Sequence, residues 1–401
     1  MTITNKKENC KTLGIYVHIP FCLKKCGYCD FLSFENKSVP AHKEYVKALL
    51  NEVESYGAEY SNNYLVDSVF IGGGTPSLIS PDMIGDIIGA IKYNFNFDGD
   101  TEITIEANPG TLTGEKLDTY LAAGINRLSI GAQSFDDCIL KILGRVHLAG
   151  DIYKNYRLAR EAGFENINLD LIFGIPGQHI DIWKETLSGA IGLDPGHISF
   201  YSLQIEEGTR FYEMFEAGMY EKLSDELDRE MYHYAVRELS DAGYTHYEIS
   251  NAAKDGHECR HNIKYWSFKD YLGTGLGAHS YMDGVRFGNI KDPEKYIKLN
   301  LEGNDEPRGN EKLHEWRHEN SFNDDVSEYM FTGLRMTKGI DLNDFENRFG
   351  KTLADTYKKE WAAVRRYIGD GLLIIDGRSL RLSEKGIDIS NRIMSEFVIS
   401  N

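Results

Sequence analysis

Little in this sequence would place the chain in a membrane or outside a cell. No apolar stretch reaches the roughly 18 residues needed to span a bilayer. The start, MTITNKKENCKTLG, lacks the apolar core of a secretory signal. Proline is scarce, 9 in 401 residues, and no low-complexity tract interrupts the chain. Positive charge is in deficit: 44 Lys and Arg stand against 62 Asp and Glu, a formal net charge of −18. That argues against a nucleic-acid binder, because phosphate recognition needs a basic footprint. There are only six cysteines, and a chain this long buries enough core to need no disulfide staples. The expectation is a soluble cytoplasmic protein of two or three domains.

What is present is an alternation. Between residues 12 and 205, apolar runs rich in Val, Ile, Phe and Tyr stand at 13–19, 66–73, 101–107, 125–131, 167–174 and 197–203. Gly, Pro or Asn bound them, as strands require. The intervals carry helical periodicity, for example at 41–57 and at 81–95, where Ser80 offers an N-cap before Pro81. Six strand–helix repeats predict a parallel sheet with both faces covered. Six units fall short of a closed eight-fold barrel, so the fold class is α/β, a partial (β/α)6 TIM-like barrel. A mixed segment follows to about 300, with a helix at 224–241, a strand at 244–250 and a Gly-rich stretch at 273–280. The polar stretch 301–320 reads as a surface connection. Residues 321–401 predict helices at 326–336, 341–349 and 353–368, an Asp-Gly hairpin and a terminal helix. Together these make a small winged-helix-like α+β domain, better suited to docking than to reading DNA. The domains are therefore 1–300, a connection, and 321–401.

The strongest chemical signal is YVHIPFCLKKCGYCDF at 16–31, where Cys22, Cys26 and Cys29 form a C-x3-C-x2-C loop just after the first strand. Thiolates are the soft ligands of iron–sulfur clusters and of zinc. Three of them can hold three corners of a [4Fe–4S] cube and leave the fourth iron open, whereas structural zinc wants a fourth Cys or His. Cys10 and Cys138 read as ordinary thiols.

Such a loop, at the C-terminal end of the first strand of a βα barrel, resembles the radical S-adenosylmethionine (SAM) superfamily. In that family the SAM amino and carboxylate groups chelate the open iron. An electron from the reduced cluster then cleaves the sulfonium to a 5′-deoxyadenosyl radical, which must be kept from water. The turn Gly72-Gly73-Gly74-Thr75-Pro76-Ser77 after strand two is similar to the family's SAM-binding glycine motif. Its glycines would let backbone amides approach a carboxylate closely.

Polar residues also fall near the ends of later strands: Glu106, Gln133, Arg145 and Asp170. With the cysteine loop they resemble the narrower family of oxygen-independent coproporphyrinogen III oxidase and its relatives, over nearly the whole chain. By that resemblance Tyr16, Gly73 and Glu106 match positions contacting the first SAM. Tyr28, Gly74, Thr75, Gln133, Arg145 and Asp170 match positions contacting a second SAM, so one or two SAM molecules are implied.

Two departures separate the chain from the oxidase. Phe31 stands where the oxidase motif has a fourth cysteine, and only 21 residues precede Cys22, where the oxidase carries a long arm. With Arg260-His261-Asn262-Ile263-Lys264-Tyr265-Trp266, an H-N-x-x-Y-W run, these departures resemble the haem chaperone (HemW-type) family. That resemblance implies haem as cargo, delivery to recipient haemoproteins that include membrane enzymes, and an electron donor for the cluster. His261 and Cys259 are candidate haem ligands; otherwise the segment packs under the barrel with His261 hydrogen-bonded inside. The alternative function is the oxidase's own, SAM-dependent oxidative decarboxylation of porphyrinogen propionates.

Overall fold

The computed structural model describes residues 10–35, 37–301 and 310–399. Six parallel strands form the heart of the molecule: β1 (Lys11–Ile19), β2 (Tyr64–Gly73), β3 (Asn96–Ala107), β4 (Arg127–Gln133), β5 (Asn166–Phe173) and β6 (His197–Ser202). They are hydrogen-bonded in that order, with Gly14 opposite Ser68 and Ile105 opposite Leu128. Leu13, Ile15, Val17 and Ile19 of β1 and all seven residues of β4 are buried. A parallel sheet covered on both faces demands such runs.

The crossovers carry helices α1 (Val39–Tyr60), α2 (Pro81–Asn94), α3 (Gly114–Ala123), α4 (Asp137–Leu143), α5 (Ala149–Ala162) and α6 (Ile180–Gly192). Their apolar stripes pack on the strands, as Ile84, Ile87, Ile88 and Ile91 do from α2. Ser80 does occupy the N-cap of α2, but its side chain makes no capping bond; Pro81 alone marks the start.

The mixed segment extends the sheet on both sides. After α7 (Arg210–Glu216) and α8 (Asp225–Asp241), strands β7 (Thr245–Glu248) and β8 (Asn251–Ala253) form a hairpin against β6. Helix α9 (Arg260–Trp266) comes next, and β9 (Tyr271–Thr274) then joins β1 in parallel, Gly14 opposite Tyr271. The Gly-rich stretch therefore begins in a seventh parallel strand, which the periodicity did not reveal. Strands β10 (His279–Met282), β11 (Val285–Asn289) and β12 (His314–Glu319) continue antiparallel, giving the order β12-β11-β10-β9-β1-β2-β3-β4-β5-β6-β8-β7. This corrects the reading of 301–320 as a plain connection: His314–Glu319 is an edge strand. Residues 302–309 lie outside the described residues.

A second core, built around Val326, Met330, Phe345 and Leu380, organises the C-terminal domain. Helices at Phe322–Gly333 and Leu342–Phe349 accompany a three-stranded sheet ordered Ile340–Asp341, Ser379–Leu382 and Leu373–Asp376. The first helix starts earlier than expected because Ser321 and Asp324 form a capping box. The helix expected at 353–368 is two pieces, Leu353–Thr356 and Trp361–Gly369. Tyr357 breaks it: its ring is fully buried and its hydroxyl donates to the Phe397 carbonyl at 2.9 Å.

Candidate metal centre and cofactor site

The cysteine loop is tied at its base and along its length. Phe21–Cys22 pairs with Phe34–Glu35 as a short parallel ladder. The Gly27 amide donates to the Leu143 carbonyl at 3.2 Å. His18 Nε2 donates to the Leu32 carbonyl at 2.8 Å, which fixes the tautomer and leaves Nδ1 to accept from the Tyr16 hydroxyl at 3.0 Å. Cys22 is buried and Cys26 and Cys29 are partly so. Cys22 Sγ accepts from Thr75 Oγ1 at 3.7 Å, and Cys26 Sγ from Arg145 Nη1 at 3.4 Å. Burial pushes the Cys29 thiol up to about 11 and raises Cys22 as well. A metal that binds them as thiolates must therefore release protons.

The triglycine turn closes against this loop. A Cβ on Gly74 would stand 2.7 Å from the Phe21 carbonyl oxygen and 3.0 Å from Cys22 Sγ. Gly73 has φ +118°, and a Cβ there would stand 2.6 Å from the His18 ring. Three of the turn's amides are engaged within the protein. Gly74 N donates to the Ile19 carbonyl at 2.9 Å and Thr75 N to the Phe21 carbonyl at 2.8 Å. Gly73 N donates at 3.1 Å to Glu106 Oε2, so the carboxylate it binds is the protein's own.

Eleven of the twelve sequence-predicted residues line one cavity of about 320 Å³, at the C-terminal ends of the parallel strands. That volume suits a small molecule. Tyr16 is the exception; its ring stacks on Phe70 at 6.4 Å and its hydroxyl goes to His18. Burial, with Asp170 adding repulsion, pushes the Glu106 carboxyl up to about 8. Asp170, raised mainly by burial, accepts from Asn168 at 2.8 Å and Ser129 at 3.1 Å. Arg145 donates to the Gly131 carbonyl at 2.7 Å and to Asn108 Oδ1. Gln133 sits at φ +65°, a costly conformation for a side-chain-bearing residue, and accepts from the Tyr201 hydroxyl at 3.4 Å. Tyr28 lines the wall, its hydroxyl held protonated by burial. The sequence reading missed Asn108, Ser129, Ser199 and Tyr201, which also line the cavity. Their placement at strand ends was the available signal. Phe31 stands at the rim, 60% exposed.

The H-N-x-x-Y-W segment is α9, and it packs structurally. Both imidazole nitrogens of His261 are engaged, Nδ1 with Ser68 Oγ at 3.0 Å and Nε2 with Tyr265 Oη at 2.8 Å. Glu102 accepts from the His261 and Arg260 amides, each at 3.1 Å, and from the Cys259 thiol at 3.7 Å. Burial and the nearby Lys264 and Arg127 charges hold His261 down at about 3, and burial pushes Cys259 up to about 12. Neither residue is presented to a haem iron in this arrangement. Asn262 alone of the segment reaches the cavity.

An open βα barrel with three thiols over such a cavity defines a radical SAM protein, and the Radical SAM superfamily model matches residues 16–188. The HemN C-terminal domain model matches residues 321–389. A relative from Bacillus subtilis (strain 168) named "Heme chaperone HemW" is 36% identical over 384 residues, covering 96% of this chain and 98% of its own. The protein of that name from Lactococcus lactis subsp. lactis (strain IL1403) is 32% identical, covering 98% of each chain. The one from Escherichia coli (strain K12) is 40% identical over 291 residues, 71% of this chain and 76% of that one. The solved structure of coproporphyrinogen III oxidase (HemN) from Escherichia coli has the same fold, with a TM-score of 0.84 at 23% identity over 98% of this chain and 91% of that one. The chain belongs to the HemW family of the radical SAM superfamily.

The residues present fit a [4Fe–4S] cluster and SAM. Cys22, Cys26 and Cys29 line one cavity, the soft donors that three corners of a cube need, with room beside them for a small molecule. The bound pair would supply one-electron chemistry at the sulfonium. The protein's own part is to hold the thiols, line the cavity with polar groups and keep it narrow. Among the described residues, no helix is long and apolar enough to cross a membrane.

Proposed function

We propose that this chain is a radical SAM-type haem chaperone of the cytoplasm. It binds a [4Fe–4S] cluster through Cys22, Cys26 and Cys29, SAM and haem, and delivers haem to haem-requiring proteins, membrane enzymes among them. Tyr16, Gly73 and Glu106 serve the first SAM. Tyr28, Gly74, Thr75, Gln133, Arg145 and Asp170 are the set available to a second. An electron donor reduces the cluster. The observation that carries the reading is the full-length likeness to proteins named "Heme chaperone HemW". Phe31 in place of a fourth motif cysteine favours it over porphyrinogen decarboxylation.

The test is haem titration of the anaerobically reconstituted chain, followed by transfer to an apo-haemoprotein. Uptake and transfer are expected. Failure to take up haem removes the reading, and SAM-dependent conversion of coproporphyrinogen III to protoporphyrinogen replaces it.

A further inference from the structure

A polar chain runs through the interior of the barrel. It starts at Asp170, which lines the cavity, and leads away from it. Asn168, two residues earlier on β5, donates from Nδ2 to Asp170 Oδ1 at 2.8 Å and to Ser129 Oγ at 2.7 Å. Its Oδ1 accepts from His197 Nδ1 at 2.6 Å and from Ser199 Oγ at 3.2 Å. His197 Nε2 accepts from the Tyr247 hydroxyl at 2.8 Å. That oxygen accepts in turn from the Cys259 amide at 3.3 Å, immediately before α9. Asn168 is 2% exposed and His197 0%, so neither can trade these partners for solvent.

The direction of every bond follows from one charge. As a carboxylate Asp170 only accepts, so Asn168 turns its NH2 toward Asp170 and its oxygen toward His197. That oxygen requires a hydrogen on Nδ1. Burial, with the nearby Arg127 charge, holds the His197 pKa well below its ordinary value, so the ring is neutral. A neutral imidazole protonated on Nδ1 has a bare Nε2, which the Tyr247 hydroxyl satisfies. Asn168 thus uses both donor hydrogens and accepts twice. Without the Nδ1 hydrogen nothing keeps its amide from flipping, and a flipped amide presents oxygen to the Asp170 carboxylate.

We infer that Asn168 and His197 are positioning residues for Asp170, fixing its carboxylate as an acceptor for the hydroxyl or amino hydrogens of SAM. The inference rests on the assignment of Asp170 to a second SAM and adds the groups that make that carboxylate fit to bind it. Neither Asn168 nor His197 lines the cavity, so both act through residues that do.

The experiment is SAM titration of the anaerobically reconstituted full chain, read as the number and affinity of the molecules bound. D170N should weaken the second molecule by about tenfold, the scale of one charge-assisted hydrogen bond. Two amides separate positioning from packing at residue 197. H197N keeps an NH2 where Nδ1 stands and should bind within about threefold of wild type. H197Q carries its amide at the Nε2 position instead and should lose about tenfold. In a D170N background H197Q should cost nothing further, because its effect passes through a group already removed. Iron content should match wild type throughout. Where H197Q does not fold, Y247F carries the test: it frees Nε2 and should lose about threefold alone and nothing beside D170N. If H197Q binds SAM like wild type, if H197N loses as much as H197Q, or if the loss recurs beside D170N, the ring only packs. The inference then fails while the haem-chaperone reading stands. If D170N binds SAM like wild type, the assignment of Asp170 falls and the inference with it. Absence of haem uptake removes the chaperone reading and leaves the positioning of Asp170 untouched.

Discussion

Gly74 shows how closely the cluster loop is fitted to its neighbour. Any side chain there meets the Phe21 backbone and the Cys22 sulfur, so backbone rather than a flexible chain must yield. G74A should therefore displace Cys22 and lower iron and sulfide content to less than half of wild type, measured after anaerobic reconstitution. The thiols themselves give a sharper contrast. C22A, C26A and C29A should each abolish the cluster and SAM cleavage, whereas C138A, at an exposed thiol, should retain full iron loading. Full loading in all three of the first set would show that the ligands lie elsewhere. The cysteines were legible in sequence because their chemistry is carried by local spacing. Ser129 and Tyr201 were not, because only the strand order brings them to the same cavity.

Elements are joined by buried polar ties, and Glu52 on α1 is the clearest. It accepts from the Gly275 amide at 2.8 Å, from Asn289 at 2.6 Å and from the Tyr296 hydroxyl, so α1, the loop after β9 and the helix Pro293–Leu301 meet on one carboxyl. Burial pushes it up to about 7 despite those three donors. A folded value above the ordinary 4.5 means that the folded state holds this proton more tightly. The contribution is full below pH 4.5 and is lost as pH rises through 7, a change of about 3 kcal/mol at most. E52Q removes that slope and turns an amide NH2 toward donors, at a cost of about 1–3 kcal/mol. The Tm gap between wild type and E52Q should be wider at pH 5.5 than at pH 8; an equal gap at both would show that Glu52 does not titrate there. Such ties explain part of what sequence could not show. The six barrel strands are apolar enough to announce themselves, but Tyr271–Thr274 is short, and His314–Glu319 is polar because it is an exposed edge with no second face to bury.

The whole molecule is held together across its two cores. Phe268 and Tyr281, from the sheet's extension, are buried in the C-terminal core with ring centroids 4.6 Å apart. Arg286 grips Glu328 through both carboxylate oxygens, Nε lying 2.7 Å from each. Truncation after residue 320 should uncover those rings at a cost of about 3–6 kcal/mol and leave the barrel aggregating, as gel filtration would report. A monodisperse, cluster-loaded fragment would show that the barrel stands alone. The −18 charge disfavours a nucleic-acid role for the terminal domain. Its contacts make it a cover for the sheet's extension.

Strand β1 carries the cysteine loop, yet its two edges are completed at very different times. One edge pairs with β2, beginning opposite Tyr64; the other waits for Tyr271 to pair with Gly14. At about 5–20 residues per second, the ribosome delivers β9 ten seconds or more after β2. Through that interval the thiols have emerged but the sheet beneath them is half-built. The loop's own ties, to Thr75, Leu143 and Arg145, lie within the first 145 residues, so what a nascent polypeptide leaves exposed longest is the unpaired edge of β1 rather than the cysteine loop.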